Sequence, residues 1–150
     1  MGGTLAPMPN GEPDLRLRLR QALATAVPLR LAVLFGSAAR GTLRHDSDVD
    51  VGIIPSDPAL SLRDELALQA RLTAACSREV ELVRLDRAST LLRWQAAIHG
   101  EPLLSSPPQE ISRFRARAAV EHAELRIVRD PAAERFRRRL AGAPEDRRAR

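Results

Sequence analysis

The chain has 150 residues, 44% of them apolar and 29% charged, and a formal net charge of +5. That length suits one domain with a hydrophobic core; no apolar run reaches the ~18–20 residues of a membrane span, and a single cysteine, Cys76, excludes an internal disulfide framework. All 24 basic side chains counted as Lys or Arg are Arg, and Phe35, Phe114, Phe136 and Trp94 are the aromatic set, with no Tyr, too few stacking platforms for a single-strand nucleic-acid binder.

Residues 1–12 are small, polar or Pro-rich and are expected to be disordered. Residues 1–13 lack the basic-then-apolar order of a secretory signal, so the expected compartment is the cytoplasm. From Pro13, a residue suited to a first helical turn, Leu15, Leu19, Ala22 and Ala26 fall on one helical stripe that Leu23 widens. Leu31 to Phe35 is a short apolar run ending at Gly36 and reads as a buried strand. Gly36 to Gly41 reads as a tight turn with a short helix. Asp48 to Ile54 is a second strand, stopped by Pro55.

A helix is expected between Pro58 and Cys76, with Leu62, Leu66, Leu68, Leu72 and Ala75 on a broad apolar face. Glu79 to Leu85 is a third strand, Ser89 to Ile98 a helix capped by Gly100, and Pro102 to Leu104 a short edge strand. Glu110 to Arg129 forms a long amphipathic helix, with a shorter helix after Pro131 and a frayed tail over 141–150. The fold class is therefore α/β, a small mixed sheet flanked by helices with a helical C-terminal region. Residues 13–105 form the core, and residues 106–140 belong to the same domain.

The informative stretch runs from Leu34 to Val51. A strand entering Gly36-Ser37 and then a helix start leaves backbone N–H groups unpaired. Gly36 lets a phosphate approach the backbone, the Ser37 hydroxyl can donate to it, and Arg40 lies one turn away. Asp48 and Asp50, two apart on a strand, project to one face. Such hard oxygen ligands suit Mg²⁺, which also binds substrate phosphates. Ser47 either orients these carboxylates or serves the loop, and is grouped with the nucleotide-binding set.

The pattern Gly36-Ser37, ten residues, Asp48-x-Asp50 resembles the polymerase-beta nucleotidyltransferase superfamily, in particular its minimal nucleotidyltransferases of the antitoxin type paired with HEPN toxins. The resemblance runs from about Pro28 through the third strand and more loosely beyond. It implies a nucleotidyltransferase fold and transfer of AMP from ATP onto a tyrosine of a HEPN toxin, within a hetero-oligomer. It also implies that Gly36 and Ser37 hold the triphosphate while Asp48 and Asp50 hold Mg²⁺, with two ions expected. The family carries a third carboxylate, an Asp, where this chain reads Val80-Glu81-Leu82-Val83. Glu81 is the expected substitute as metal ligand and proton acceptor, with Glu79 on the same face and Asp86 just beyond. The alternatives are an antitoxin that acts by contact alone, and transfer to a small molecule.

The remaining candidates have plainer readings. His45 is expected to be solvated, His99 to sit at a helix C-terminus, His122 to pack on the long helix, Cys76 to fill the core and Trp94 to be core. Arg113, Arg115, Arg117 and Arg126, then Arg137 to Arg139, are expected to form a solvated face, or alternatively to meet an acidic partner.

Overall fold

In the computed structural model, residues 11–44 and 46–141 are described; the expectations for residues 1–10, His45 and residues 142–150 lie outside them. The chain order is α1 (Gly11–Ala24), β1 (Leu29–Phe35), α2 (Gly36–Ala39), β2 (Val49–Pro55), α3 (Leu62–Cys76), β3 (Val80–Arg84), α4 (Thr90–His99), β4 (Glu101–Ser105) and α5 (Glu110–Ala141). The sheet order is β3-β2-β1-β4. β1 runs antiparallel to β2 and to β4, and β2 parallel to β3. The sheet is therefore mixed, as expected, and Pro102 to Leu104 does lie in an edge strand.

Alternation along the strands sorts side chains onto two faces. Ala32 and Leu34 of β1 and Val49, Val51 and Ile53 of β2 meet α1 and α3 through Leu15, Leu19, Leu68 and Leu72. Leu31, Val33 and Phe35 point the other way, onto α4 and α5, where they meet Ala96, Ala97, Phe114 and Ala118. Each Leu buried in this way contributes about 2 kcal/mol. Ser61 caps α3 by accepting from the Asp64 N–H, and Ser89 caps α4 by accepting from Leu92. Ion pairs tie the layers together: Arg16 of α1 reaches Glu101 of β4 at 2.6 Å, and Arg30 of β1 meets Glu110 of α5.

Three expectations need correction. α1 begins at Gly11, two residues before Pro13. The broad apolar face assigned to α3 is narrower: Leu68, Leu72 and Cys76 are buried, while Leu62 and Leu66 are exposed, because α3 meets α1 and the sheet along a single stripe. The last two helices are one, α5, continuous through Pro131. Proline removes a single intrahelical bond, and good helix formers on both sides, Ala132, Ala133 and Glu134 among them, carry the helix on. No helix among the described residues is long and apolar enough to cross a membrane.

Candidate active site

The site is assembled where β1 ends and β2 and β3 begin. β1 leaves the sheet at Phe35, and the chain turns at Gly36 with φ +70°, a conformation that glycine adopts without strain. α2 follows at once, one short turn with no side-chain cap at Phe35, so its first N–H groups have no side-chain acceptor. The turn is closed from behind: the Arg40 N–H donates to the Gly36 carbonyl, and the Thr42 N–H to that of Ser37.

Strand register sets Asp50 beside this turn. Asp50 lies opposite Phe35 in the antiparallel ladder and beside Glu81 in the parallel one. A Cβ built on Gly36 would lie 2.1 Å from Asp50 Oδ2, so the carboxylate fills the space that any side chain at position 36 would need. Here glycine is required twice over, by its φ and by its neighbour.

Register partners on parallel strands share a sheet face, so Glu81 stands next to Asp50, and its carboxyl group comes within hydrogen-bonding reach. Burial pushes the Asp50 carboxyl above its ordinary range, and the like charges of Glu81 and then Asp48 push it further; Arg40 pulls partly the other way. Those influences define the cluster: two carboxylates in contact, a third nearby, and one guanidinium.

Asp48 does not lie within a strand. It is exposed, one residue before β2, whose first N–H, that of Val49, donates to the Glu79 carbonyl at 2.9 Å. The expectation that both aspartates project from one strand holds only for Asp50; Asp48 sits at the strand's mouth, on the loop side. Ser47 serves that loop, its hydroxyl accepting from the Arg44 N–H at 3.3 Å while its own N–H donates to the Arg44 carbonyl. Asp86 belongs elsewhere, paired with Arg84 at 2.7 Å, which holds its carboxyl below the usual range. Glu79 is exposed ahead of β3.

Among the described residues, no three His, Cys, Asp or Glu side chains are drawn together as a ready metal-binding group. The pair that meets is Asp50 and Glu81, with Asp48 near enough to act through its charge. The donor chemistry fits a divalent cation. These are hard carboxylate oxygens close enough to repel one another, and a positive ion would offset that repulsion.

The histidines and Cys76 stand apart from this cluster. His99 lies exposed in the last turn of α4, and Cys76 is buried at the end of α3. His122 stacks on Trp94, with ring centroids 4.7 Å apart. Sequence reasoning missed Arg84, whose guanidinium is 8% exposed and bridges Glu65 and Asp86. An Arg closing a strand between Val83 and Leu85, with Asp86 two residues on, was the available signal.

Residues 18–109 match the polymerase beta nucleotidyltransferase family. The protein adenylyltransferase MntA of Shewanella oneidensis is 38% identical over 76 residues, 50% of this chain and 53% of that protein, so the match spans about half the length of that relative. The protein adenylyltransferase MntA of Aphanizomenon flos-aquae is 26% identical over 125 residues, 77% of this chain and 81% of its own. Among solved structures, a toxin–antitoxin complex with AMP-PNP contains a chain 27% identical with a TM-score of 0.70, covering 81% of this chain and 97% of its own. The antitoxin bound to the tri-AMPylated HEPN toxin of Shewanella oneidensis is 24% identical with a TM-score of 0.65, covering 81% and 95%; that likeness is one of fold. With the matched segment carrying the glycine turn, both aspartates and Glu81, the chain belongs to the polymerase beta nucleotidyltransferase family.

Proposed function

We propose that this chain is an antitoxin that moves AMP from ATP onto a tyrosine hydroxyl of a partner HEPN toxin, with Mg²⁺ at Asp48, Asp50 and Glu81, in the cytoplasm. The observation that supports the reading is the closeness of the Gly36 turn to the Asp50 carboxylate, which stands where a Cβ at position 36 would lie. The MntA relatives are named protein adenylyltransferases, and a structural neighbour was crystallised with AMP-PNP; both support an adenylyl donor.

Each residue then has a task. The N–H groups of Ser37 and Ala38, with the Ser37 hydroxyl, hold the triphosphate, and the absence of a side chain at position 36 lets the Asp50 carboxylate stand against the turn. Arg40, whose charge acts on Asp50, counters charge on the phosphates. Asp48 and Asp50 hold Mg²⁺, and Glu81 completes the set; two ions are expected. When bound, Mg²⁺ supplies charge stabilisation at the attacked α-phosphate and the departing pyrophosphate. Glu81, exposed at the edge of the cluster, accepts the proton of the incoming hydroxyl. The oxygen forms its bond to the α-phosphorus as the bond to pyrophosphate breaks. The chain has no Tyr of its own, so a tyrosine acceptor must come from another protein. Ser47 acts through the loop, holding Asp48 at the mouth of β2 rather than touching the nucleotide.

The test is direct. The chain is co-expressed with a HEPN protein from the same genome, given ATP and Mg²⁺, and the partner's intact mass is measured. Gain of one or more AMP units, lost in Asp48→Asn, is the expected result; an unchanged partner mass with wild-type chain defeats the proposal. A second readout needs no turnover: Mg²⁺ should raise the melting temperature of the wild-type chain and leave that of Asp50→Asn unchanged.

A further inference from the structure

The two halves of α5 differ in what covers them. In the first half, Phe114 and Ala118 are buried against the sheet, Glu121 pairs with Arg93 at 3.1 Å, and His122 stacks on Trp94. The same face continues at helical spacing through Leu125, Ala132, Phe136 and Leu140. The sheet and α4 end before it does. Phe136 and Leu140 are each 64% exposed, on a segment that at 1.5 Å per residue extends roughly 25 Å. Where this overhang leaves α4, a groove of about 570 Å³ opens, walled by Leu91, His122, Leu125, Arg129, Ala133 and Phe136. Large apolar side chains left bare in a row beside a groove form the kind of surface that contacts a partner.

Charge selects the occupant. Arg126, Arg129, Arg135, Arg137, Arg138 and Arg139 outnumber Asp130 and Glu134 on the same segment, leaving it strongly positive. Two copies laid face to face would set these arginines against one another, a like-charge juxtaposition that disfavours self-pairing. Nucleic acid would answer the arginines but leave the apolar groove unfilled.

We propose that the overhanging half of α5, with the groove at its root, is a docking surface for a helix of a partner protein that presents apolar side chains flanked by acids. Phe136 and Leu140 are the anchors, and Arg129 and Arg139 steer the acidic flanks, in keeping with the enrichment of aromatic and Arg side chains among residues that dominate interfaces. That partner is the HEPN protein, an identification that rests on the function proposed above.

The experiment measures binding of the full chain to a HEPN protein from the same genome by calorimetry, and AMP transfer by intact mass, in parallel. Phe136→Glu with Leu140→Glu should weaken binding by at least roughly tenfold, with an unchanged melting temperature, since neither side chain touches the core. Arg129→Glu with Arg139→Glu should weaken it too, with a shallower salt dependence. Ile127→Glu, on the opposite face and 71% exposed, should bind as wild type. Asp50→Asn should abolish transfer and keep binding; a complex that forms without any AMP transfer by the wild-type chain sinks the proposed activity and still supports the docking surface. Undiminished binding by both double variants overturns the surface, as does failure of the wild-type chain to bind. A wild-type homodimer broken by Phe136→Glu, or capture on phosphatidylglycerol vesicles lost in the same variant, would assign the stripe to a second copy or to a lipid surface and overturn it as well.

Discussion

The two ends of the sheet treat carboxylates in opposite ways. At the start of β2 and β3, Asp50 stands against Glu81 with Asp48 nearby, and Arg40 is the cation that acts on it. At the far end, Arg84 is sandwiched between Glu65 at 2.5 Å and Asp86 at 2.7 Å, and Arg30 meets Glu110. The Asp50 carboxyl is pushed up by burial and by its acidic neighbours, while hydrogen bonds from Arg84 pull the Asp86 carboxyl down. One end carries acids crowded together beside one guanidinium; at the other, arginines pair the acids and tie the sheet to its helices. The same residue type is therefore crowded or neutralised according to what the fold sets beside it.

Breaking the first end should cost activity and spare the fold. Asp50→Asn is expected to lower AMP transfer by roughly 10³-fold, about 4 kcal/mol of transition-state stabilisation, without lowering the melting temperature. A variant that instead melts early would show that Asp50 is a structural residue. Breaking the second end should do the reverse. Arg84→Leu leaves Glu65 and Asp86 without their shared cation and should destabilise the chain by about 3 kcal/mol in urea melts, with transfer per folded molecule unchanged.

Gly36→Ala probes the contact that defines the first end. The new Cβ must displace the Asp50 carboxylate and adopt a positive φ. Misplacement of this kind should lower transfer by roughly 10²-fold, with a stability loss of about 1–2 kcal/mol. Retention of full activity would separate the turn from the acids.

The smallest expected effect is in pH dependence. A raised Asp50 costs stability as pH climbs from the ordinary carboxyl value of 3.8 through its raised folded value, and the whole cost remains above it. A lowered Asp86 adds stability above that ordinary value, and this is lost as pH falls through its lowered folded value. Thus Asp86→Asn should cost about 1 kcal/mol at neutral pH and flatten the acid limb of the stability curve, whereas Asp50→Asn should raise neutral stability slightly. Equal and same-signed changes in thermal melts from pH 3 to 8 would remove the contrast between the two ends.

Much of this is legible in local pattern. The apolar run ending at Gly36, the spacing to Asp48 and Asp50, and the Val80-Glu81-Leu82-Val83 stretch mark three strands and their acids, because period and turn chemistry are written in adjacent residues. Leu15, Leu19, Ala22 and Leu23 are recognisable as a buried stripe for the same reason. Periodicity could not reveal that α3 would leave Leu62 and Leu66 outside, since which apolar residues are covered depends on how many neighbours the helix meets. Nor could it show α5 running unbroken past Pro131, because the cost of one lost hydrogen bond is weighed against the whole helix around it.

For this protein, the sequence alone determined the residue types of the candidate site and their order along the chain, since a glycine turn and an Asp-x-Asp strand opening are short-range features. The tertiary structure decided which acids meet. Register between strands separated by a helix set Glu81 beside Asp50, left Asp48 at the strand's mouth, and gave Asp86 to Arg84. Such pairings depend on contacts between residues distant in sequence, and no local pattern specifies them.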